Sequence, residues 1–123
     1  MKNKRNIKWL KKPQPSNYSD AFSYLGLIYD GNKIVEFMKL FKSASISEFK
    51  ARDIIRAANI TDITNTNLQI EEDRKKIKKE VALSPVLLVR DPVNTRVIIA
   101  EGYYRVAAAY SIDENAVIPC KII

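Results

Sequence analysis

Apolar residues set the period of this chain, and the period changes along it. After the Pro13-Gln14-Pro15 break, Phe22, Leu25, Ile28 and Tyr29 recur at helical spacing and predict a short amphipathic helix that Ser19 or Asp20 can cap. The Asp30-Gly31-Asn32 turn signal follows, and Ile34, Val35, Phe37, Met38, Leu40 and Phe41 predict a second helix ending near Lys42. The two are expected to pair. Ser43 to Lys50 reads as a short strand or extended link anchored by Ile46 and Phe49, and Ala51 to Ala58 as a brief helix stopped at Asn59. Thr61 to Asn67 is polar and turn-like. Leu68 to Glu80 predicts a charged helix with Glu71, Glu72 and Asp73 early and Lys75, Lys76, Lys78 and Lys79 late. That order suits the helix dipole, sets Glu71 with Lys75 and Glu72 with Lys76 at four-residue spacing, and reads as a solvated face.

From Ser84 the pattern becomes that of strands. Pro85 to Val89 is an unbroken apolar run, Asp91 to Thr95 has turn chemistry, and Arg96 to Ala100 is rich in branched residues, so a hairpin is predicted. Glu101-Gly102 breaks the second strand, and Tyr103 to Tyr110 carries the helical run Val106-Ala107-Ala108-Ala109. Val117 to Ile123 is the last strand, with Ile118, Cys120 and Ile122 on one face; Pro119 argues for an edge or strand-start position. The expected class is α+β: a small mixed sheet with flanking helices and an N-terminal helical pair. Residues 1–15 form a basic tail and 16–123 one domain.

Composition narrows the chemistry. Cys120 is the only cysteine among 123 residues and there is no histidine, which excludes an intramolecular disulfide, a Cys/His zinc site and histidine-based acid, base or triad chemistry. No apolar run approaches the roughly 18 residues that cross a bilayer, and no leader-like apolar stretch follows the basic start, so a cytoplasmic protein without a membrane partner is expected. The net charge of +7 is concentrated: residues 1–12 hold Lys2, Lys4, Arg5, Lys8, Lys11 and Lys12 with no acid, leaving 15 basic against 14 acidic residues over 13–123. A near-neutral body lacks the footprint of a dedicated duplex binder. The tail is either a nucleic-acid contact or a solvated start whose Ile7, Trp9 and Leu10 pack back on the body.

Candidate chemistry lies where the second hairpin strand meets the Ala-rich helix. A strand entering a helix through glycine leaves the first helical N–H groups pointing outward at the positive end of the dipole, a place for an anion. Gly102 permits close backbone approach, Arg105 can grip two phosphate oxygens, Tyr104 offers a hydroxyl or a ring face, and Glu101 can hold a metal ion or take a proton. The same residues also allow a corner in which Arg105 bridges Glu101, Tyr103 is core and nothing binds.

Leu83-Ser84-Pro85-Val86-Leu87-Leu88-Val89, the run Val97 to Ala109 containing Glu101-Gly102-Tyr103-Tyr104-Arg105, and Ile118-Pro119-Cys120-Lys121 together resemble the ParB N-terminal domain and sulfiredoxin superfamily. The resemblance spans about a third of the chain. Its hallmark is an apolar strand ending in an acidic or small residue, a glycine, two variable residues and an arginine opening a short helix that usually cradles nucleotide phosphates. Leu68 to Val89, and Phe49-Lys50-Ala51-Arg52-Asp53-Ile54, are similar to the family's layout. The resemblance implies a small stand-alone bacterial ParB-like domain that binds a nucleotide, with magnesium as a companion ion. Gly102, Tyr104 and Arg105 would contact phosphate, Glu101 would be the catalytic candidate for phosphoryl transfer, hydrolysis or nuclease action, and Lys50 and Tyr103 would be secondary contacts. Tyr103 and Tyr104 stand where sulfiredoxins carry cysteine and histidine, so sulfiredoxin activity is not expected. There is no room for the DNA-reading helices of partition proteins. Three readings remain open: a nucleotide or phosphate-ligand site, a nucleic-acid binder or nuclease using the tail, and an interaction module that has lost the chemistry.

Overall fold

Val86, Leu87, Leu88 and Val89 are all buried, so the strand they form must be covered on both faces. In the computed structural model, which describes residues 6–61 and 67–123, the chain runs through α1 (Pro15–Leu25), α2 (Gly31–Ser43), β1 (Ser47–Lys50), α3 (Ala51–Ala57), α4 (Leu68–Lys78), β2 (Val86–Asp91), a 3-10 turn (Pro92–Asn94), β3 (Arg96–Glu101), α5 (Tyr103–Ile112) and β4 (Val117–Ile122). Lys2, Lys4, Arg5 and positions 62–66, most of the stretch from Thr61 to Asn67 expected to be turn-like, lie outside the described residues. The class is α+β, with a four-stranded mixed sheet ordered β1-β4-β2-β3. β1/β4 and β2/β3 are antiparallel and β2/β4 is parallel.

Alternation along β2 divides the core. Val86 and Leu88 pack with Ala51, Ile54 and Ile55 of α3, Val106 and Ala109 of α5, and Ile118 and Cys120 of β4. Leu87 and Val89 face the other way, onto Ala21 and Leu25 of α1 and Phe37 and Phe41 of α2, joined by Ile98 and Ala100 of β3. The paired N-terminal helices therefore cover one face, with Tyr18 and Phe22 meeting Phe41 ring to ring. A third cluster lies outside α5, where Ile70 and Ile77 of α4 meet Ala107, Ala108 and Leu83. The alanines of α5 allow helices close on both sides. The hairpin turn is closed by Asp91, whose carboxylate accepts from Asn94 Nδ2 and Arg96 Nε, both at 2.9 Å.

Three local expectations are corrected. α1 begins at Pro15, earlier than a Ser19 or Asp20 cap would give: Pro15 is preset for a helix start, and the Gln14 N–H donates to Asn17 Oδ1 at 2.7 Å. On α4 the acids pair at three-residue spacing, Glu71 with Arg74 at 2.9 Å and Glu72 with Lys75 at 3.8 Å. β4 is an inner strand, so Pro119 is not at an edge. The Ala51 N–H bond to Ala116 O turns even-numbered residues of β4 toward β1, and the missing Pro119 N–H falls on the β2 side, where pairing begins only at Cys120 opposite Val86. Pro119 is not at the strand start either: it is the third residue of β4 and lies opposite Glu48 of β1.

Among the described residues no helix is long and apolar enough to cross a membrane. Ile7 and Trp9 pack on the body, and Leu83 N–H and Leu10 N–H bond Lys8 O and Leu83 O at 2.9 and 2.8 Å. Lys8, Lys11 and Lys12 are exposed.

Candidate functional site

β3 ends at Glu101, Gly102 turns the chain, and α5 starts at Tyr103. Gly102 has φ 108°, ψ 15°, in the region that side chains avoid. A Cβ there would also lie 2.9 Å from Arg105 Nη2 and 2.9 Å from a Val86 methyl. Glycine is required by conformation and by space. Among the described residues no side chain caps α5, and its first backbone bond runs from Val106 N–H to Gly102 O at 3.1 Å. The amides of Tyr103, Tyr104 and Arg105 precede that bond and have no intrahelical partner. The hairpin register slips between Leu87 and Leu88, making Ala100 a bulge immediately before Glu101.

Arg105 does not reach outward. Its Nη2 and Nη1 donate to Glu101 Oε1 and Oε2 at 2.6 and 2.9 Å, its Nε to Ser84 O at 2.8 Å, and Nη2 also to Pro85 O at 3.1 Å. The side chains are only 13% and 14% exposed. One guanidinium thus ties the end of β3, the first turn of α5 and the entry to β2. Ser84 extends the tie to α1 by donating from Oγ to Gln14 Oε1 at 2.9 Å.

The corner opens nonetheless on a cavity of about 760 Å³, lined by Glu101 to Arg105, by all of β3 from Arg96, by Asn17, Asp20 and Tyr24 of α1, and by Gln69, Asp73 and Lys76 of α4. Within it β3 presents a free edge. Arg90 N–H and Leu88 O bond Ile123 on the β4 side, so Val89 and Asp91 turn toward β3 and pair with Ile98 and Arg96; the backbone groups of Val97 and Ile99 consequently point away from the sheet. Tyr104 is 42% exposed and Tyr103 half-buried, their rings in edge contact at 5.4 Å.

Of the residues expected from sequence, Glu101, Gly102, Tyr103, Tyr104 and Arg105 are gathered on this cavity. Lys50 is not: it ends β1, the opposite edge of the sheet from β3, and is exposed there. Among the lining residues to which the sequence assigns no part in the site are Lys76 and Asp73. Lys76 belongs to the lysine cluster that reads as a solvated face; it is exposed, and it also lies on the rim. Asp73 reads in the sequence as one of three helix-start acids with Glu71 and Glu72, but it is 3% exposed, on the buried stripe of α4 with Ile70 and Ile77. Burial raises its carboxyl above the ordinary range, opposed by Lys76 and Arg105 and aided by the nearby Glu101 charge. Its signal in the sequence was an acid at i+3 between apolar residues seven apart.

Among the described residues no three Cys, Asp or Glu side chains gather into a metal-holding group. A magnesium ion would have to be held largely by phosphate oxygens of the ligand it accompanies. A comparison with known proteins returned no matching family model, no matching curated protein and no matching solved structure.

Proposed function

We propose that this chain binds a phosphate-bearing small molecule, with a nucleotide as the class that fits best, where β3 runs into α5. The observation that carries the reading is the start of α5: an uncapped helix, entered through a left-handed glycine, that opens into a cavity of about 760 Å³. Free first-turn amides at the positive end of the dipole favour an anion, and the bare Gly102 backbone lets it come close. The volume falls within the roughly 300–1,000 Å³ common for small-molecule sites. Lys76 on the rim adds a positive charge, the exposed Tyr104 ring offers a base a surface to stack on, and the outward N–H and C=O groups of Val97 and Ile99 suit the polar edge of a base.

Arg105 takes a different part from the one its motif position implies. Its donors are committed to Glu101, Ser84 and Pro85, so it shapes the corner and lends it charge, while the amides make the contact. Glu101, likewise, has both oxygens on the guanidinium. Phosphoryl transfer or hydrolysis would need that carboxylate free, and the proposal is therefore one of binding. Thermal melting with ATP, CTP and GTP, with and without magnesium, tests it. A ligand at about 100 times its dissociation constant stabilises by about 2.7 kcal/mol, or several degrees for a domain of this size. Lys76→Ala should weaken the shift; no shift with any nucleotide overturns the reading.

A second reading, an interaction module that keeps the corner without chemistry, is favoured by the closed Glu101–Arg105 pair. It predicts that Glu101→Gln changes melting temperature but that no nucleotide alters the difference.

A further inference from the structure

Helix α4 turns Ile70, Asp73 and Ile77 inward as one stripe. Two of these meet Ala107 and Ala108 of α5 in an apolar contact; the third is a carboxylate, 3% exposed, at a position that packing alone would fill with leucine. Burying a charge costs several kcal/mol unless it is paired, and the compensation here is weak. Its hydrogen bond is from Gln69 Nε2 at 3.4 Å, the long limit of such contacts. No Lys or Arg nitrogen within 4 Å pairs with it among the described residues. The natural structural task for an acid facing the start of α5 would be to cap that helix, and no side chain does so.

The groups around Asp73 are few. Its own helix supplies Gln69 and Lys76, α5 supplies Arg105, and the end of β3 supplies Glu101. The N-terminal segment packs the uncharged Ile7 and Trp9 here, with Lys8 between them exposed. Arg105 is held by Glu101 at 2.6 Å, so the charge that chiefly opposes the burial of Asp73 is that of Lys76, which stays beyond ion-pair distance, and Asp73 lines the same cavity as the first-turn amides of α5.

We infer that Asp73 is the proton-linked residue of this cavity: a phosphate-type anion binds while Asp73 is protonated, its carboxyl donating a hydrogen bond to the ligand, so that occupying the site takes up one proton from solvent. The inference rests on the reading of the cavity as a phosphate-ligand site and adds to it a residue and a linkage. An ionised Asp73 would repel the incoming anion; a neutral one satisfies a ligand oxygen and removes a weakly compensated buried charge in the same step. Burial already raises the carboxyl above its usual range, so Asp73 takes up a proton more readily than an exposed aspartate would.

The test uses probes whose charge does not change with pH, sulfate and 3′,5′-cyclic AMP, with affinity measured from about pH 5 to about pH 8 on the full chain. With one proton taken up, affinity should fall by up to about tenfold for each unit of rising pH above the Asp73 transition. Calorimetry in buffers of different ionisation enthalpy should count close to one proton. Asp73→Asn, whose amide keeps a donor but cannot titrate, should bind with that slope abolished and tighter than the native chain at neutral pH. Asp73→Leu should fold and bind weakly at every pH. A native slope surviving in Asp73→Asn, or native binding that is flat with pH, overturns the inference and leaves the phosphate site standing. Native binding of neither probe at any pH overturns both. Full binding by Asp73→Leu assigns the residue to packing alone and also defeats it.

Discussion

Gly102 is the residue that the corner can least replace. An alanine there would hold φ near 108° and place its Cβ 2.9 Å from Val86 and from the guanidinium that ties the corner together. Backbone strain and contact together should cost about 2–4 kcal/mol by urea unfolding; a loss below about 0.5 kcal/mol would mean that the α5 start yields freely. Asp73 should act in the opposite sense. Its folded-state proton affinity is raised, so its contribution to stability is complete below the unfolded value near about 4 and is lost as pH rises through the folded value. Asp73→Leu should therefore raise the ligand-free melting temperature at neutral pH, with a gain that shrinks toward pH 4. Cys120 is fully buried, and burial pushes its thiol up to about 12. It should resist thiol reagents in the native state at pH 8 and react only as the chain unfolds. Glu101, Gly102 and Arg105 were legible in the sequence because strand, glycine and helix start are local features. Asp73 was not, because three adjacent acids at a helix start look alike until the neighbouring helix says which of them faces inward.

At the scale of elements, the Arg105 clamp explains how a small sheet keeps its corner fixed. β3 and β2 pair side by side, and the entry to β2 is tied to the start of α5 by the packing of Val86 with Val106 and by one guanidinium holding Glu101 and the carbonyls of Ser84 and Pro85. Arg105→Ala would strand a carboxylate and two carbonyls in a site 14% exposed, and should cost about 3–5 kcal/mol. Pairing it with Glu101→Gln should recover part of that loss, because the uncompensated charge is then gone; a strictly additive double mutant would show that the two side chains do not act together. Loss of nucleotide binding in Arg105→Ala alone would consequently report on folding as much as on contact. The order and type of elements followed from apolar period. Partner strands did not: Pro119 suggested an edge, but the inner place of β4 depends on residues far away in sequence, and its tolerance of proline on the half-ladder that starts at Cys120. The bulge at Ala100 likewise has no local signature, since it exists only as a mismatch against β2.

For the whole molecule, the two sides of the sheet are closed by different parts of the chain, α1 and α2 on one and α3 and α5 on the other, with α4 stacked outside α5. The N-terminal segment belongs to this second side. Trp9 and Ile7 fill the space between Leu83 and the α4–α5 contact, and the backbone bonds of residues 8–10 to Leu83 fasten the segment beside the chain that enters β2. The basic character of the segment and its apolar residues therefore have separable consequences. Trp9→Ala should destabilise by about 2 kcal/mol, below the usual cost for a tryptophan because the ring is only partly buried. Replacing exposed Lys8, Lys11 and Lys12 together by alanine should change stability by less than about 0.5 kcal/mol. If the segment also contacts nucleic acid, that triple change is the one that lowers affinity at low salt and flattens its dependence on salt, with melting temperature preserved. Because α4 rests on Trp9 and carries Asp73 and Lys76 into the cavity, Trp9→Ala should also weaken nucleotide binding through their position, whereas the lysine changes should leave it intact. Measuring melting temperature and nucleotide affinity on both variants separates the two: equal effects on binding would mean that the segment acts through its charge, and that the packing of Trp9 does not hold α4 in register with α5.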